Sequence, residues 1–199
     1  MADARARRYS TVAIAFHWVI AAAILGQIWL GWTMSDLPNG LRKFELFQLH
    51  KSVGITILLL SLGRLAWRLT HRPPPYAPGV HGWQRTLATS VHTGFYVLMI
   101  ALPLTGWAAV SASTFNLPTV LYGVLPWPHL PGLADLPAAQ KGAVSESLGT
   151  THELLVRFTL ALLALHVAGA LKHQLLDRDG TLQRMLPLGR RPAAAGGRA

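Results

Sequence analysis

Four long apolar runs dominate the chain, and short polar or proline-rich stretches separate them. The runs lie at about residues 11–34, 49–69, 85–111 and 150–171. A helix rises about 1.5 Å per residue, so each run is long enough to cross a hydrocarbon core of about 30 Å. The pattern predicts an all-α membrane protein, a four-transmembrane-helix bundle that forms a single domain over residues 1–199.

Proline and glycine mark the limits of these runs. Three prolines at 73–75 follow the second run, and proline does not continue a helix. The third run contains Pro103 and Gly106, a combination that membrane helices tolerate when neighbouring groups bond the freed carbonyl. The stretch 112–149 is rich in proline and glycine, so we expect a long loop there. The first run is longer than the core of a signal peptide, so we expect it to remain as a helix.

The composition changes the meaning of the charge. Hydrophobic residues make up 51% of the chain and charged residues 13%, yet the net charge is +10. A soluble protein this basic would suggest a nucleic-acid partner, but few charges with a basic excess are typical of a membrane protein. We therefore expect a lipid bilayer as partner and no nucleic acid. The absence of cysteine excludes disulfides, Fe–S clusters and covalently attached haem.

Lysine and arginine are distributed unevenly between the two sides of the predicted bundle. Thirteen of the eighteen fall in the N-terminal segment, the connection between the second and third spans, and the C-terminal tail. Because cytoplasmic loops carry the excess of positive charge, both termini are predicted to be cytoplasmic. The thirteen are Arg5, Arg7, Arg8, Arg64, Arg68, Arg72, Arg85, Lys172, Arg178, Arg184, Arg190, Arg191 and Arg198. Four basic residues lie on the opposite side, namely Arg42, Lys43, Lys51 and Lys141.

Five of the nine histidines fall within the predicted spans or at their edges, where ionisable side chains are costly and usually functional. His17 and His166 lie about five or six residues from the cytoplasmic ends of the first and fourth spans. His50 and His152 open the second and fourth spans on the outer side. His92 lies in the third span at the inner depth.

The spacing in the fourth span suggests how these histidines pair. His152 and His166 are fourteen residues apart, which places them on one helix face about 21 Å apart along the axis. Matching depths pair His17 with His166 and His50 with His152. Such pairs suit two b-type haems held without covalent attachment, whereas zinc would require a third or fourth ligand at one depth. His92 remains open, either as an alternative axial ligand or as a residue beside the inner haem.

His173 follows His166 by seven residues and so lies near the same helix face, at the cytoplasmic interface. A histidine there is a candidate for a hydrogen bond to a quinone carbonyl, or for a proton relay. The alternative is an ordinary interfacial side chain whose ring extends toward water.

Taken together, these motifs resemble the bacterial cytochrome b561 family of small di-haem membrane cytochromes. The resemblance runs from about residue 8 to 188, in order along the chain. The matching segments are Tyr9-Ser10, Phe16-His17-Trp18, Leu49-His50-Lys51-Ser52-Val53-Gly54, Val91-His92-Thr93-Gly94, Ala101-Leu102-Pro103-Leu104-Thr105-Gly106, His152-Glu153 with His166, and Thr181-Leu182-Gln183-Arg184-Met185-Leu186-Pro187.

The resemblance implies axial haem ligation by four histidines, His17, His50, His152 and His166, and leaves His92 as a non-ligand. Within the family, the chain looks closest to the superoxide oxidase type. That type takes electrons from periplasmic superoxide, releases O2, and passes the electrons through two haem b groups to ubiquinone in the inner membrane.

Two alternatives to that activity remain at this point. Membrane anchors of hydrogenases and formate dehydrogenases share a similar ligand layout. The first alternative is therefore an electron-transfer subunit that connects a redox partner to the quinone pool. The second is a small non-redox membrane transporter. No feature of the sequence identifies a protein partner.

Several other side chains acquire candidate roles from this interpretation. Lys51, beside His50, is a candidate for a positive rim that attracts superoxide, and the alternative is ordinary loop charge. Arg157 lies between the two histidines of the fourth span, where a haem propionate or a helix-end carbonyl would be its partner. Arg64 and Arg68 are candidates for propionate contacts or for simple positive-inside charges.

Overall fold

The computed structural model describes residues 8–76 and 80–187. Four helices in this part of the chain are long and apolar enough to cross a membrane, which confirms the four predicted spans. They are α1 (Thr11–Asp36), α2 (Leu41–Thr70), α3 (Gly82–Ser111) and α4 (Ala138–Lys172). Five residues that the orientation prediction counts lie outside the described residues, namely Arg5, Arg7, Arg190, Arg191 and Arg198.

Two helices begin earlier than the apolar runs predicted. Helix α2 starts at Leu41, so His50 is its tenth residue and does not open it. Helix α4 starts at Ala138, and His152 likewise lies well inside it. The prediction of a loop over 112–149 is therefore wrong for its last twelve residues. These extensions are rich in residues such as Ala, Gln, Lys and Glu that favour helix, whereas hydropathy detects only the part of a helix that lies in the membrane.

The fold is mostly helical, as predicted, but it contains a small β-hairpin that the sequence analysis did not predict. Strands β1 (Thr119–Leu121) and β2 (Leu125–Trp127) pair antiparallel and form a small hairpin between α3 and α4. Its turn contains Tyr122 and Gly123 with φ of 51° and 72°. Glycine adopts such positive φ values at little cost.

Successive helices pack against one another in the order α1, α2, α3, α4. Of the four helices, α2 has the largest share of buried residues in its apolar part and α4 the smallest. In the described part of the chain, α4 packs along α3 and does not approach α1 or α2 closely. The bundle therefore leaves space between α4 and the first two helices.

The hairpin is fastened to one end of α2, and we call this end of the bundle the hairpin end. The backbone N–H of Tyr122 donates to the buried Oγ of Ser52 (3.0 Å), and the Thr56 and Tyr122 hydroxyls lie 2.7 Å apart. The Lys51 ammonium donates to the carbonyl oxygen of Pro118 (3.0 Å).

The opposite end carries both termini of the described chain, and we call it the terminal end. Residues 178–187 fold back across it and are here named the terminal strap. The Trp18 indole donates to the carbonyl oxygen of Met185 (2.7 Å), and the N–H of Tyr9 donates to that of Arg184 (3.3 Å). The buried Arg184 in turn donates to the carbonyl oxygen of Pro75 (2.8 Å). The strap thus ties α1 to the connection that precedes α3.

The attachment of the hairpin predicts the effect of Ser52→Ala. The change removes the hydroxyl that accepts from Tyr122, at an expected cost of about 1–3 kcal/mol in stability. The measurement is the thermal unfolding midpoint in detergent. Ser35→Ala is the control, since the Ser35 hydroxyl is exposed and donates to the Gly31 carbonyl of its own helix (2.8 Å). Equal shifts for the two variants would contradict the role given to Ser52.

Candidate functional site

A pair of histidines faces across the space at the hairpin end. The ring centroids of His50 and His152 lie 6.3 Å apart, with planes at 70°. The Nδ1 of His152 donates to the carbonyl oxygen of Leu102 (3.0 Å), which leaves its Nε2 for a ligand. The Nδ1 of His50 is buried and has no hydrogen-bond partner among the described residues.

Three histidines meet at the terminal end. The ring centroids of His17 and His166 are 6.1 Å apart, and those of His92 and His166 are 5.7 Å apart. The Phe95 ring also contacts that of His166, at 5.4 Å. The structure therefore brings together the pair expected from depth, and it adds His92 at nearly the same distance.

The three candidate arginines have different surroundings. Arg64 lies beside the terminal-end histidines, with Nη2 3.5 Å from His17 Nδ1 and its guanidinium 5.5 Å from the centre of the Tyr96 ring. Arg68 is exposed on α2. Arg157 is exposed on α4, and among the described residues it bonds to no other side chain. The structure thus supports an interior position for Arg64 alone.

Glycines make room for the histidine rings at the hairpin end. A Cβ on Gly106 would lie 3.2 Å from His152 Cε1, and one on Gly31 would lie 3.6 Å from His50 Cε1. A Cβ on Gly94 would meet Leu162 at 3.0 Å, where α3 and α4 pack closely. The two imidazoles thus occupy places that a larger side chain would fill.

The paired histidines fit a metal group held from two sides. Two imidazoles bound to one metal have ring centroids about 6 Å apart, given metal–nitrogen bonds of about 2 Å. Both pairs have this separation, and each joins α4 to a helix that it does not pack against closely. The space and the donor set therefore fit b-type haem, which each facing pair of imidazoles could hold.

Comparison with known proteins identifies the family. Residues 8–188 match the model described as prokaryotic cytochrome b561. The chain belongs to this family. Cytochrome b561 homolog 2 of Escherichia coli (strain K12) is 32% identical over 184 residues, which cover 90% of this chain and 91% of the relative.

Two further relatives of this cytochrome b561 match over nearly their whole length. The probable superoxide oxidase CybB of Yersinia pestis is 26% identical over 186 residues, covering 91% of this chain and 97% of the relative. Cytochrome b561 homolog 1 of Escherichia coli (strain K12) is 25% identical over 185 residues, covering 90% and 97%.

Membership of the family confirms the coarser predictions made from the sequence. The protein is a membrane electron-transfer cytochrome, and its family binds b-type haem and is linked to quinones. This favours electron transfer over the non-redox transporter considered above.

A polar cluster that the sequence analysis did not foresee surrounds His173 at the terminal end. His173 begins a short π-helical turn, His173–Asp177, that continues α4. Its Nδ1 lies 2.7 Å from an Asp179 oxygen and 3.2 Å from an Asp177 oxygen. The Lys172 ammonium lies 2.6 Å from Asp177 and neutralises that carboxylate, so the group is better described as an ion-pair network than as a metal site. The spacing of the two aspartates after His173 is the signal that could have revealed it.

Lys51 is tied to the protein more closely than a free loop charge would be. Its ammonium donates to Pro118 and lies 5.2 Å from the centre of the Phe47 ring. It is partly buried, next to His50 in the sequence. By contrast, Arg42 is exposed and pairs with Glu45 at 3.5 Å. Of these two cations, Lys51 is the one that follows a hairpin-end histidine directly and is held in place by other residues.

The contact of Gly106 with the His152 ring predicts the effect of Gly106→Ala. The added methyl group would lie closer to the ring than an ordinary contact allows, so the ring would have to move by a few tenths of an ångström, and overpacking of this kind costs about 1–3 kcal/mol. We expect lower haem content and a shifted reduced-minus-oxidised spectrum. Gly26→Ala is the control, because a Cβ on Gly26 meets nothing within 4 Å. An unchanged spectrum in Gly106→Ala would contradict the tight fit.

Proposed function

We propose that this cytochrome b561 oxidises superoxide at its hairpin end and reduces ubiquinone at its terminal end. One haem b would be held by His50 and His152 and a second by His17 and His166. The observation that carries the proposal is the presence of two imidazole pairs, 6.3 Å and 6.1 Å between ring centroids, at two levels along α4. When bound, b-type haem supplies reversible one-electron transfer. The likeness to a probable superoxide oxidase supports the choice of electron donor.

The distribution of charge supports the orientation that this activity needs. Among the described residues, basic side chains are more numerous at the terminal end than at the hairpin end. By the positive-inside rule, the terminal end would face the cytoplasm of a bacterial cell and the hairpin end the periplasm. The protein would then lie in the inner membrane with both termini inside.

The proposed reaction balances without a nucleophilic side chain. Two superoxide anions each lose one electron and leave as O2, while one ubiquinone gains two electrons and two protons to become the quinol. Lys51 would act by raising the local concentration of the anion near His50, because a fixed positive charge attracts it. Its bond to Pro118 holds the ammonium at that place.

At the terminal end, two histidines are suited to the quinone. The Nδ1 of His173 is engaged by aspartate oxygens, so its Nε2 would be available to a quinone carbonyl. His92 contacts the His166 ring and would line the space between that ring and the quinone.

Stopped-flow mixing with superoxide tests the proposed activity directly. We expect superoxide to reduce the bound haem much faster than it reduces a generic cytochrome b, and added ubiquinone to reoxidise it. If reduction by superoxide is no faster than that of the generic cytochrome, an electron-transfer subunit serving a protein partner becomes the better description.

The proposed ligand set predicts which histidine variants lose haem. His152→Ala should lose the hairpin-end haem and keep the other, so that haem per protein falls by about half, because one of the two imidazoles that would hold the group is removed. The measurement is haem content with a reduced-minus-oxidised spectrum. His92→Ala is the matched control inside the bundle and should keep both haems. If His92→Ala loses haem and His17→Ala does not, the terminal-end pair would be His92 with His166, and the proposed role of His17 would be wrong.

The position of Lys51 predicts a charge-dependent rate. Lys51→Gln keeps a donor for Pro118 but removes the charge, so we expect reduction by superoxide to slow about 3- to 10-fold and to lose part of its dependence on ionic strength. Arg42→Gln is the control, since Arg42 is exposed and already paired with Glu45. Equal slowing in the two variants would indicate a general effect of net charge and not a site at Lys51.

A further inference from the structure

A tight turn after α4 carries Asp179 back against His173. Arg178 and Gly180 adopt positive φ values of 50° and 78° on either side of Asp179. One Asp179 oxygen accepts from the N–H of Thr181 (2.9 Å), and the other accepts from His173 Nδ1 (2.7 Å). Only 14% of the Asp179 side chain is exposed. The carboxylate is therefore held in one orientation, with one oxygen committed to the imidazole.

This turn is the first part of the terminal strap, and the rest of the strap fixes it relative to the helices. Directly after Thr181, the strap continues to Arg184 and Met185, whose carbonyls bond to Tyr9 and Trp18. The position of Asp179 is thus set by contacts with α1 as well as by its own turn.

Asp177 also lies near the His173 imidazole, but it is farther from the ring, more exposed, and bonded to a lysine. Its oxygen lies 3.2 Å from His173 Nδ1, a longer distance than that of Asp179, and 31% of its side chain is exposed. Both of its oxygens also accept from the Lys172 ammonium, at 2.8 and 2.6 Å. The charged groups that face His173 are therefore Asp179, Asp177 and, through Asp177, Lys172. Of the two carboxylates, Asp179 is the one with no competing cation in the described cluster.

The chemistry of such a pair is well defined. A carboxylate that accepts from Nδ1–H fixes the imidazole tautomer, exposes Nε2, and stabilises the ring when it carries a second proton. Burial raises the pKa of the Asp179 carboxyl, but hydrogen bonds from Thr181 and His173 outweigh this and hold that pKa below its ordinary value. Asp179 is accordingly ionised at neutral pH.

We propose that Asp179 is a positioning residue that holds His173 as the proton donor to the quinone at the terminal end. The inference rests on the proposed function, because it requires quinone reduction at this end. For each electron that the quinone receives, the Nε2–H bond of protonated His173 breaks and an O–H bond forms on a quinone oxygen. His173 keeps its Nδ1–H bond to Asp179, and water from the cytoplasm returns a proton to Nε2. Two such transfers supply the two protons of the quinol.

The test compares Asp179→Asn with Asp177→Asn in the full-length, haem-loaded protein. An asparagine amide can donate to Nδ1, and the proton of neutral His173 would then lie on Nε2. His173 could still donate a hydrogen bond from Nε2 to the quinone carbonyl. It would, however, lack the carboxylate that stabilises the doubly protonated ring. We therefore expect Asp179→Asn to leave KM for ubiquinone within about 2-fold and to lower kcat for quinone reduction about 10- to 100-fold. This is less than the roughly 100- to 10,000-fold of a general acid lost altogether, because His173 itself remains. Asp177→Asn should lower kcat less than 3-fold.

Two further measurements separate this role from a structural one. Reduction of the haem by superoxide, measured without quinone, should be unchanged in both variants, because it takes place at the other end. Asp179→Glu restores a carboxylate and should recover kcat to within about 5-fold of the unmodified protein. If Asp179→Asn does not assemble with haem, the kcat of Asp179→Glu decides the question, and a fall of 10-fold or more overturns the proposal.

Other outcomes are equally informative. Equal losses of kcat in Asp177→Asn and Asp179→Asn, or a rise in KM with unchanged kcat, overturn the role assigned to Asp179. Failure of the proposed function would be visible separately, since the unmodified protein would then take electrons from superoxide without passing them to ubiquinone, or would not take them at all.

Discussion

The placement of imidazole rings in an apolar interior is the constraint on which the rest of this structure depends. A ring nitrogen there that binds neither a hydrogen-bond partner nor a metal is costly, since an unpaired polar group away from water is destabilising. The Nδ1 of His152 donates to the Leu102 carbonyl, and the centre of the His152 ring lies 6.3 Å from that of His50. Helix α4 supplies one ring to each pair and stays apart from α1 and α2, so the bundle is open where the rings meet.

The β-hairpin covers one end of the bundle and the terminal strap crosses the other, and the two suit different reactants. At the hairpin end, backbone bonds from Tyr122 to Ser52 and from Lys51 to Pro118 seat a small hairpin on α2 beside one pair of rings. At the terminal end, the strap crosses α1 and presents Asp179 to His173. A fixed cation at one end and a fixed carboxylate at the other match the attraction of an anion and the supply of protons.

Much of this arrangement could be predicted from the sequence, although not to the same depth everywhere. The four helices followed from hydropathy, and the separation of His17 and His166 from His50 and His152 followed from counting residues along helices. The limits of α2 and α4 did not follow, because helix propensity continues beyond the apolar window. Arg157 lies in the predicted helix but is exposed and makes no hydrogen bond to either pair, since its rotation about α4 differs from that of the histidines.

By itself, the sequence determined the number of spanning helices, the family and the depth of each histidine, because hydropathy and axial rise are local properties of one helix. Only the tertiary structure decided which rings face one another and that His92 joins His166, since the rotation of each helix depends on packing against its neighbours. It also decided the seat of the hairpin and the contact of Asp179 with His173. That contact depends on two residues of positive φ and on a strap held by α1, which no periodicity in the sequence records.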